Sequence, residues 1–138
     1  MAMSEGFADS ILQSNLTTGT SYLWLHTDDP GSTGSQNVAL FSSESTDLIH
    51  REAVTFGAQV NDDVFAQGRR VRMSSAEWSS DEIEEEQVIK FFSLWTSSGT
   101  GGTAMFISAT TSRETSTSGV AIAANAIDVG IEIFKKSG

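Results

Sequence analysis

The sequence lacks cysteine and long apolar runs, and it contains few basic residues. Without cysteine, a disulfide framework, a thiolate nucleophile and a cysteine-based zinc site are all excluded. No apolar run approaches the roughly 20 residues of a membrane span, and the acidic Glu5 stands where a secretory signal would be basic. The 8 Lys and Arg residues face 18 Asp and Glu residues, which gives a formal net charge of −10. Because phosphate backbones repel such a chain, we expect no nucleic-acid partner. Because a long apolar run is missing, we expect no membrane insertion.

The length of 138 residues suits a single domain spanning 1–138. Residues 1–16 predict a short N-terminal helical arm, since Ser4 is a typical N-cap and an apolar stripe arises from two pairs spaced four residues apart, Phe7 with Ile11 and Ala8 with Leu12. A helix this short is marginal alone and needs tertiary packing. It either caps the core of its own domain or reaches a neighbouring subunit.

Short apolar stretches separated by turn residues predict a β-rich remainder. The stretch 88–95 is apolar on both faces, which is typical of a central strand, and we expect it to form a hairpin that ends near residue 109. Residues 31–48 predict a long loop anchored at 38–41. In the segment 127–133, Ile and Val alternate with other residues at period two, as in a strand with one buried face. Strands are predicted at 22–26, 51–56, 69–73, 88–95, 103–109 and 127–133.

This pattern favours a mainly β fold, an antiparallel β-sandwich of jelly-roll or related type with a short N-terminal helix. Pro30 lies in a turn, where it cannot interrupt a strand ladder. Along 69–73, the alternation predicts that Val71 points inward while Arg70 and Arg72 point outward.

Few residues have the type and spacing of a catalytic or metal-binding site. His26 lies near Asp28 and Asp29, a weak metal or base pattern that the turn itself explains, because Asp side chains bond nearby backbone N–H groups. Five of the six residues in 81–86 are carboxylates, without the spacing of a calcium loop. We interpret them as a solvated face or a contact for a basic partner. No catalytic motif is present, so we expect neither an enzyme nor a cofactor or metal.

The candidates for contact with a partner combine exposed apolar and charged residue types. Trp24 and Trp95 fall in apolar strands and are assigned to the core, whereas Trp78 lies in a Ser-rich segment and is the candidate for an exposed anchor. The interface candidates are Phe7, Ile11, Trp78, Glu84, Glu85, Glu86, Arg70 and Arg72.

The order of several motifs resembles a known family. The segment 22–34 contains Leu25-His26-Thr27-Asp28-Asp29-Pro30-Gly31, and it is followed by 50–58 (HREAVTFGA), 91–96 (FFSLWT) and 101–106 (GGTAMF). This series is similar to small tailed-bacteriophage virion proteins with an LHTxDPG-type segment, often labelled phage tail fibre protein. The likeness covers most of residues 7–134.

The resemblance implies a non-enzymatic virion structural protein that is assembled in the host cytoplasm. The compact length favours a capsid decoration (cement) protein, forming a homotrimer on the major capsid protein. The alternative is a small tail fibre or baseplate adaptor that binds tail proteins of the same virion. A further alternative, a carbohydrate-binding module, would use an exposed Trp78 ring and loop carboxylates.

Overall fold

The structure is a computed structural model that describes residues 3–41, 50–61, 68–99, 101–115 and 119–132. It confirms a mainly β fold with a short N-terminal helix, and every pairing between the described strands is antiparallel. Helix α1 covers Glu5–Leu12 and continues into a π-helical turn, Gln13–Thr17. The described strands are β1 Ser21–His26, β2 Glu52–Val54, β3 Val60–Asn61, β4 Gly68–Arg72, β5 Ala76–Trp78, β6 Val88–Trp95, β7 Ala104–Glu114, β8 Val120–Ile122 and β9 Asp128–Glu132.

The chain divides into two compact units. The first, which we call the helix unit, contains Met1–Thr20, Thr55–Ser75 and Ala123–Gly138. The second, the four-strand unit, contains Ser21–Val54 and Ala76–Ile122. The single domain and the stacked jelly-roll arrangement stay predictions.

Helix α1 begins as the sequence predicts. The Ser4 hydroxyl accepts a hydrogen bond from the backbone N–H of Phe7 at 3.2 Å and so caps the first turn. Phe7 is 59% exposed and Ile11 is half-buried, so the two predicted apolar residues lie at the margin of the buried stripe. That stripe consists of Ala8, Leu12 and Leu16.

The helix packs against β4 inside the helix unit. There the sheet has the order β3-β4-β9. Nε of Arg69 donates to Oδ1 of Asp9 at 2.7 Å, and Nη2 donates to Oδ2 at 3.0 Å, so a bidentate ion pair joins the strand to the helix. The helical arm is therefore held on its own chain.

Strand β9 confirms the period-two segment near the C-terminus. It pairs with β4 and places Val129 opposite Val71. Ile127, Val129 and Ile131 are half-buried, and Ile133 lies outside the described residues.

The solvent exposure implied by the outward orientation predicted for Arg70 is wrong. Arg70 is 9% exposed, and its Nη1 donates to Oδ2 of Asp128 at 2.9 Å. Gly130 stands opposite Arg70 in the ladder and has no side chain, so the guanidinium can lie along the neighbouring strand. The predicted exposure of Arg72 is confirmed. Val71 is buried, as predicted, and Met73 on the same face is buried as well.

The four-strand unit is built on a sheet of order β2-β1-β6-β7. Strand β6 is an inner strand and pairs with β7, so the predicted hairpin over 88–109 is confirmed. One face of this sheet carries Leu23, Leu25, Phe92 and Leu94, all buried.

A second sheet of the same unit pairs β5 with β8, and β5 contacts β2. Nε1 of Trp78 donates to the carbonyl oxygen of His50 at 2.8 Å. Gly119 has a φ of +82°, and a Cβ there would collide with the carbonyl oxygen of Trp78. Only glycine adopts this conformation at low cost, so the entry into β8 depends on it.

Candidate functional site

Three segments that are distant in sequence meet on one face of the four-stranded sheet. The register places Trp24 opposite Ser93 on β6, and the ring centroids of Trp24 and Trp95 are 5.8 Å apart in an edge-to-face arrangement. Arg51 precedes β2 and lies against both rings. We call Trp24, Arg51 and Trp95 the Trp–Arg–Trp cluster.

Arg51 is the centre of this cluster and is 7% exposed. Its Cζ lies 4.5 Å from the ring centroid of Trp24 and 3.8 Å from that of Trp95. Its Nη1 also reaches into the turn between β6 and β7. There it donates to the carbonyl oxygens of Ser97, Gly99 and Gly101 at 2.9, 2.7 and 3.2 Å.

The groups around Arg51 compensate in part for the burial of its positive charge. Indole faces carry negative electrostatic potential, and carbonyl oxygens are strong acceptors for a charged donor. Burial lowers the pKa of Arg51. Nε of Arg51 and Nε1 of Trp24 are buried without a hydrogen-bond acceptor, which offsets part of this stabilisation. The cluster therefore fixes the shape of the turn between β6 and β7.

His26 is fully buried beside the cluster. A carbonyl oxygen can only accept, so Nδ1 donates to the carbonyl of Gln36 at 2.8 Å. The hydroxyl of Ser93 donates to Nε2 at 2.7 Å and accepts from Nε1 of Trp95 at 2.7 Å. Burial lowers the pKa of His26; the bond to Gln36 opposes this shift, and the charge of Arg51 adds to it. Both ring nitrogens of a neutral imidazole are thus engaged.

The loop after β1 is held by its own polar side chains. Oδ1 of Asp28 accepts from the N–H of Asp29, and Oδ1 of Asp29 accepts from the N–H of Gly31 at 2.9 Å. Nδ2 of Asn37 donates to the carbonyl of Asp29 at 2.7 Å and closes the loop. The two Asp residues are therefore turn residues, as the sequence indicates, and the metal or base alternative has no geometric support.

The same loop packs onto the start of β7. Gly34 has a φ of +74°, and a Cβ there would lie 2.9 Å from Cβ of Ala104. Further along, Val38 forms a bridge with His26 and Ala39 is buried, which confirms the predicted anchor. Residues 42–48 of the predicted loop lie outside the described residues.

An open depression of about 420 Å³ lies between this loop and the turn between β6 and β7. Hydroxyl groups and an indole edge line it, and none of its lining residues is charged. These residues are Ser32, Thr33, Ser35, Trp95, Gly102, Thr103 and Ala104.

The expectation that Trp78 is exposed is wrong. Trp78 is 1% exposed and its polar atom is satisfied by His50. Strand β5 alternates buried and exposed residues, and Trp78 falls on the buried face. It is a core residue of the four-strand unit.

The acidic candidates lie on the surface. Residues 84–86 are exposed, and Gln87 and Thr115 hold the backbone of Glu84 through hydrogen bonds to its carbonyl oxygen. No group of His, Asp or Glu among the described residues is arranged to hold a metal ion. The interface role of the predicted residues, including Phe7, stays a prediction.

A separate group of carboxylates lies near β2. Burial raises the pKa of Glu52, and the charges of Glu82 and Glu77 raise it further. Glu82 accepts from the backbone N–H of Ser79 at 2.9 Å, so it has a local structural partner. The carboxylates of Glu52, Glu77 and Glu82 therefore repel one another at the outer strand β2.

Sequence reasoning missed the role of Arg51. The segment 50–58 predicts a strand and takes part in the family resemblance. A single basic residue beside a strand, with Trp residues in two other strands, gives no local sign that the three meet.

Comparison with known protein families identifies the family of this chain. The family described as "Podophage GP4 fiber I protein gp80" matches residues 5–132. The chain belongs to this family. The match confirms the expected phage virion structural protein, and it fits the fibre alternative better than head decoration. No curated protein matches the chain, and within the described residues of this gp80-family member no helix is long and apolar enough to cross a membrane.

Proposed function

We propose that the chain is a small, non-enzymatic component of a podophage tail fibre, acting as an adaptor that binds other proteins of the same virion. The observation that carries this proposal is the fibre-family match over residues 5–132. The proposal takes up the tail alternative in place of the capsid decoration that compact length favoured.

The geometry around His26 supports a structural role. A general base or a metal ligand needs a free ring nitrogen, and both nitrogens of His26 are occupied by Gln36 and Ser93. The guanidinium of Arg51 likewise stacks on the indole rings and donates hydrogen bonds to turn carbonyls. These groups stabilise loops and do not converge on an open cleft.

The same contacts produce rigid surface loops. Loop 28–37 is closed by Asp29 and Asn37, and the turn 96–103 is held by Arg51. Loops that are ordered before binding lose less entropy when a partner docks. This favours recognition of another virion protein as their use.

The location of the protein in the virion tests this proposal. Virions are labelled with a gold-conjugated antibody against the purified chain and imaged by electron microscopy, with particles from a phage lacking the gene as the control. We expect label at the tail. Label on the head shell with a bare tail would refute the fibre role and support capsid decoration.

The sequence also suggests a carbohydrate-binding module and a homotrimer. The carbohydrate-binding module relied on an exposed Trp78 ring, and Trp78 is buried, so that module is not proposed. The homotrimer expected from the sequence is untested, and sedimentation of the purified protein distinguishes it from the dimer proposed below.

A further inference from the structure

Strand β7 is an outer strand of the four-stranded sheet. It is 11 residues long, and among the described strands it pairs with β6 alone. Phe106 is 40% exposed and Ile107 is 37% exposed. Consecutive residues of a strand point to opposite faces, so both faces of β7 are partly exposed at these two residues. A partner that packed on one face would leave the other face uncovered, whereas an added strand would cover both.

The usual protections of an edge strand are weak in β7. Natural edges carry lysine, proline, inward-pointing charges or β-bulges that prevent pairing with another strand. Between Ala104 and Ser112, β7 has none of these residues. Register shifts lie on both sides of the segment Phe106–Ala109, which itself pairs regularly with β6. This segment therefore offers a regular, apolar edge to a further strand.

We propose that β7 pairs edge to edge, in antiparallel orientation, with β7 of a second copy of the chain. The pairing would continue the four-stranded sheet across a twofold axis and bury Phe106 and Ile107 of both copies. This inference goes beyond the fibre role and does not depend on the position of the protein in the virion.

The charge distribution favours a second copy over a basic partner. Two copies with a net charge of −10 repel each other over most of their surface. The sequence has no charged residue between Lys90 and Arg113, its longest uncharged stretch, and this stretch contains the exposed part of β7. A different, basic partner would be steered to the acidic surfaces, whereas a copy can approach closely where charge is absent.

The ends of β7 favour the antiparallel orientation. Arg113 and Glu114 form its charged C-terminal end. Parallel pairing in register would place each of them beside its own like charge. Antiparallel pairing separates the two charged ends and brings the segments Phe106–Ala109 together.

A matched pair of lysine substitutions tests the pairing. Ala109 on β7 and Ala53 on β2 are both exposed alanines on the two outer strands of one sheet. In analytical ultracentrifugation of the full chain, we expect the wild type to form a dimer. Ala109→Lys should weaken its association by at least about tenfold, and Ala53→Lys should leave it unchanged. Added salt should strengthen the dimer because it screens the repulsion between copies.

Cross-linking gives a second measurement that tolerates partial loss of stability. The chain has no cysteine, so Ser108→Cys introduces a single thiol on β7, and Ala53→Cys serves as its control. We expect oxidation to link Ser108→Cys copies covalently and to leave Ala53→Cys monomeric. A wild type that stays monomeric at millimolar concentration, a trimer, or equal effects of the β7 and β2 variants would each overturn the pairing.

Discussion

Replacement of Arg51 by methionine tests whether the buried guanidinium organises the turn between β6 and β7. Methionine keeps an unbranched apolar stem of similar reach and removes the charge and the donors. Trp24 and Trp95 keep their neighbours, so the variant isolates the guanidinium. Arg51→Lys is the companion variant, because it keeps the charge and loses the planar group that stacks on two indoles.

The expected loss follows from the contacts. Stacking on two desolvated indole faces at 4.5 and 3.8 Å contributes about 2 kcal/mol. Nη1 has two hydrogens for the carbonyls of Ser97, Gly99 and Gly101, and each charged hydrogen bond contributes about 1.5–3 kcal/mol. In Arg51→Met, water can reach the freed carbonyls, and the buried Nε that lacks a partner is absent. The net loss of stability is therefore smaller than the sum of the contact energies. We expect Arg51→Met to lower the free energy of unfolding by about 3–4 kcal/mol and Arg51→Lys by about 2 kcal/mol.

Urea denaturation followed by tryptophan fluorescence measures these changes, with circular dichroism to verify the native fold. Hydrogen exchange at the amide of Thr103, which donates to Oγ1 of Thr96 at 2.9 Å, reports on the turn itself. It should accelerate more than exchange in β1. An Arg51→Met variant within about 0.5 kcal/mol of the wild type, a difference typical of neutral surface changes, would show that the guanidinium does not organise the turn.

Three further predictions concern pH and backbone conformation. The pKa of His26 is lowered in the native state. Below about pH 6.5 the unfolded chain therefore binds a proton that the native state does not, and the free energy of unfolding should fall from pH 7 to pH 5. His26→Gln should flatten this slope in denaturation curves taken across that range. Glu52 has a raised pKa, so Glu52→Gln should raise the melting temperature at pH 7, and its advantage should vanish as pH falls and the wild-type carboxyl becomes protonated. Gly119→Ala forces a side chain into the carbonyl of Trp78 at positive φ and should lower the free energy of unfolding by about 2 kcal/mol or more. The control Gly57→Ala has open space around it and should shift the midpoint of unfolding little. Equal midpoints for the two variants would contradict the steric argument.

Local patterns in the sequence determined much of the secondary structure. The N-cap at Ser4, the apolar inner strand β6 and the alternation in β9 follow from residue type and spacing along a few neighbouring positions. The turn role of Asp28 and Asp29 is also local, because their carboxylates bond the backbone within two residues. Such interactions depend on short sequence separations and leave a readable pattern.

Tertiary structure decided the burial of charged and aromatic side chains. Arg70 is buried because Gly130 and Asp128 lie beside it on a strand that is distant in sequence. Trp78 is buried because β5 pairs with β8 and contacts β2, although its local sequence is rich in serine. Arg51 acquires its role only when Trp24 and Trp95 meet around it. Sequence determines which side chains are available, while long-range strand pairing determines which of them are neighbours, and the energy of a buried charge depends on those neighbours.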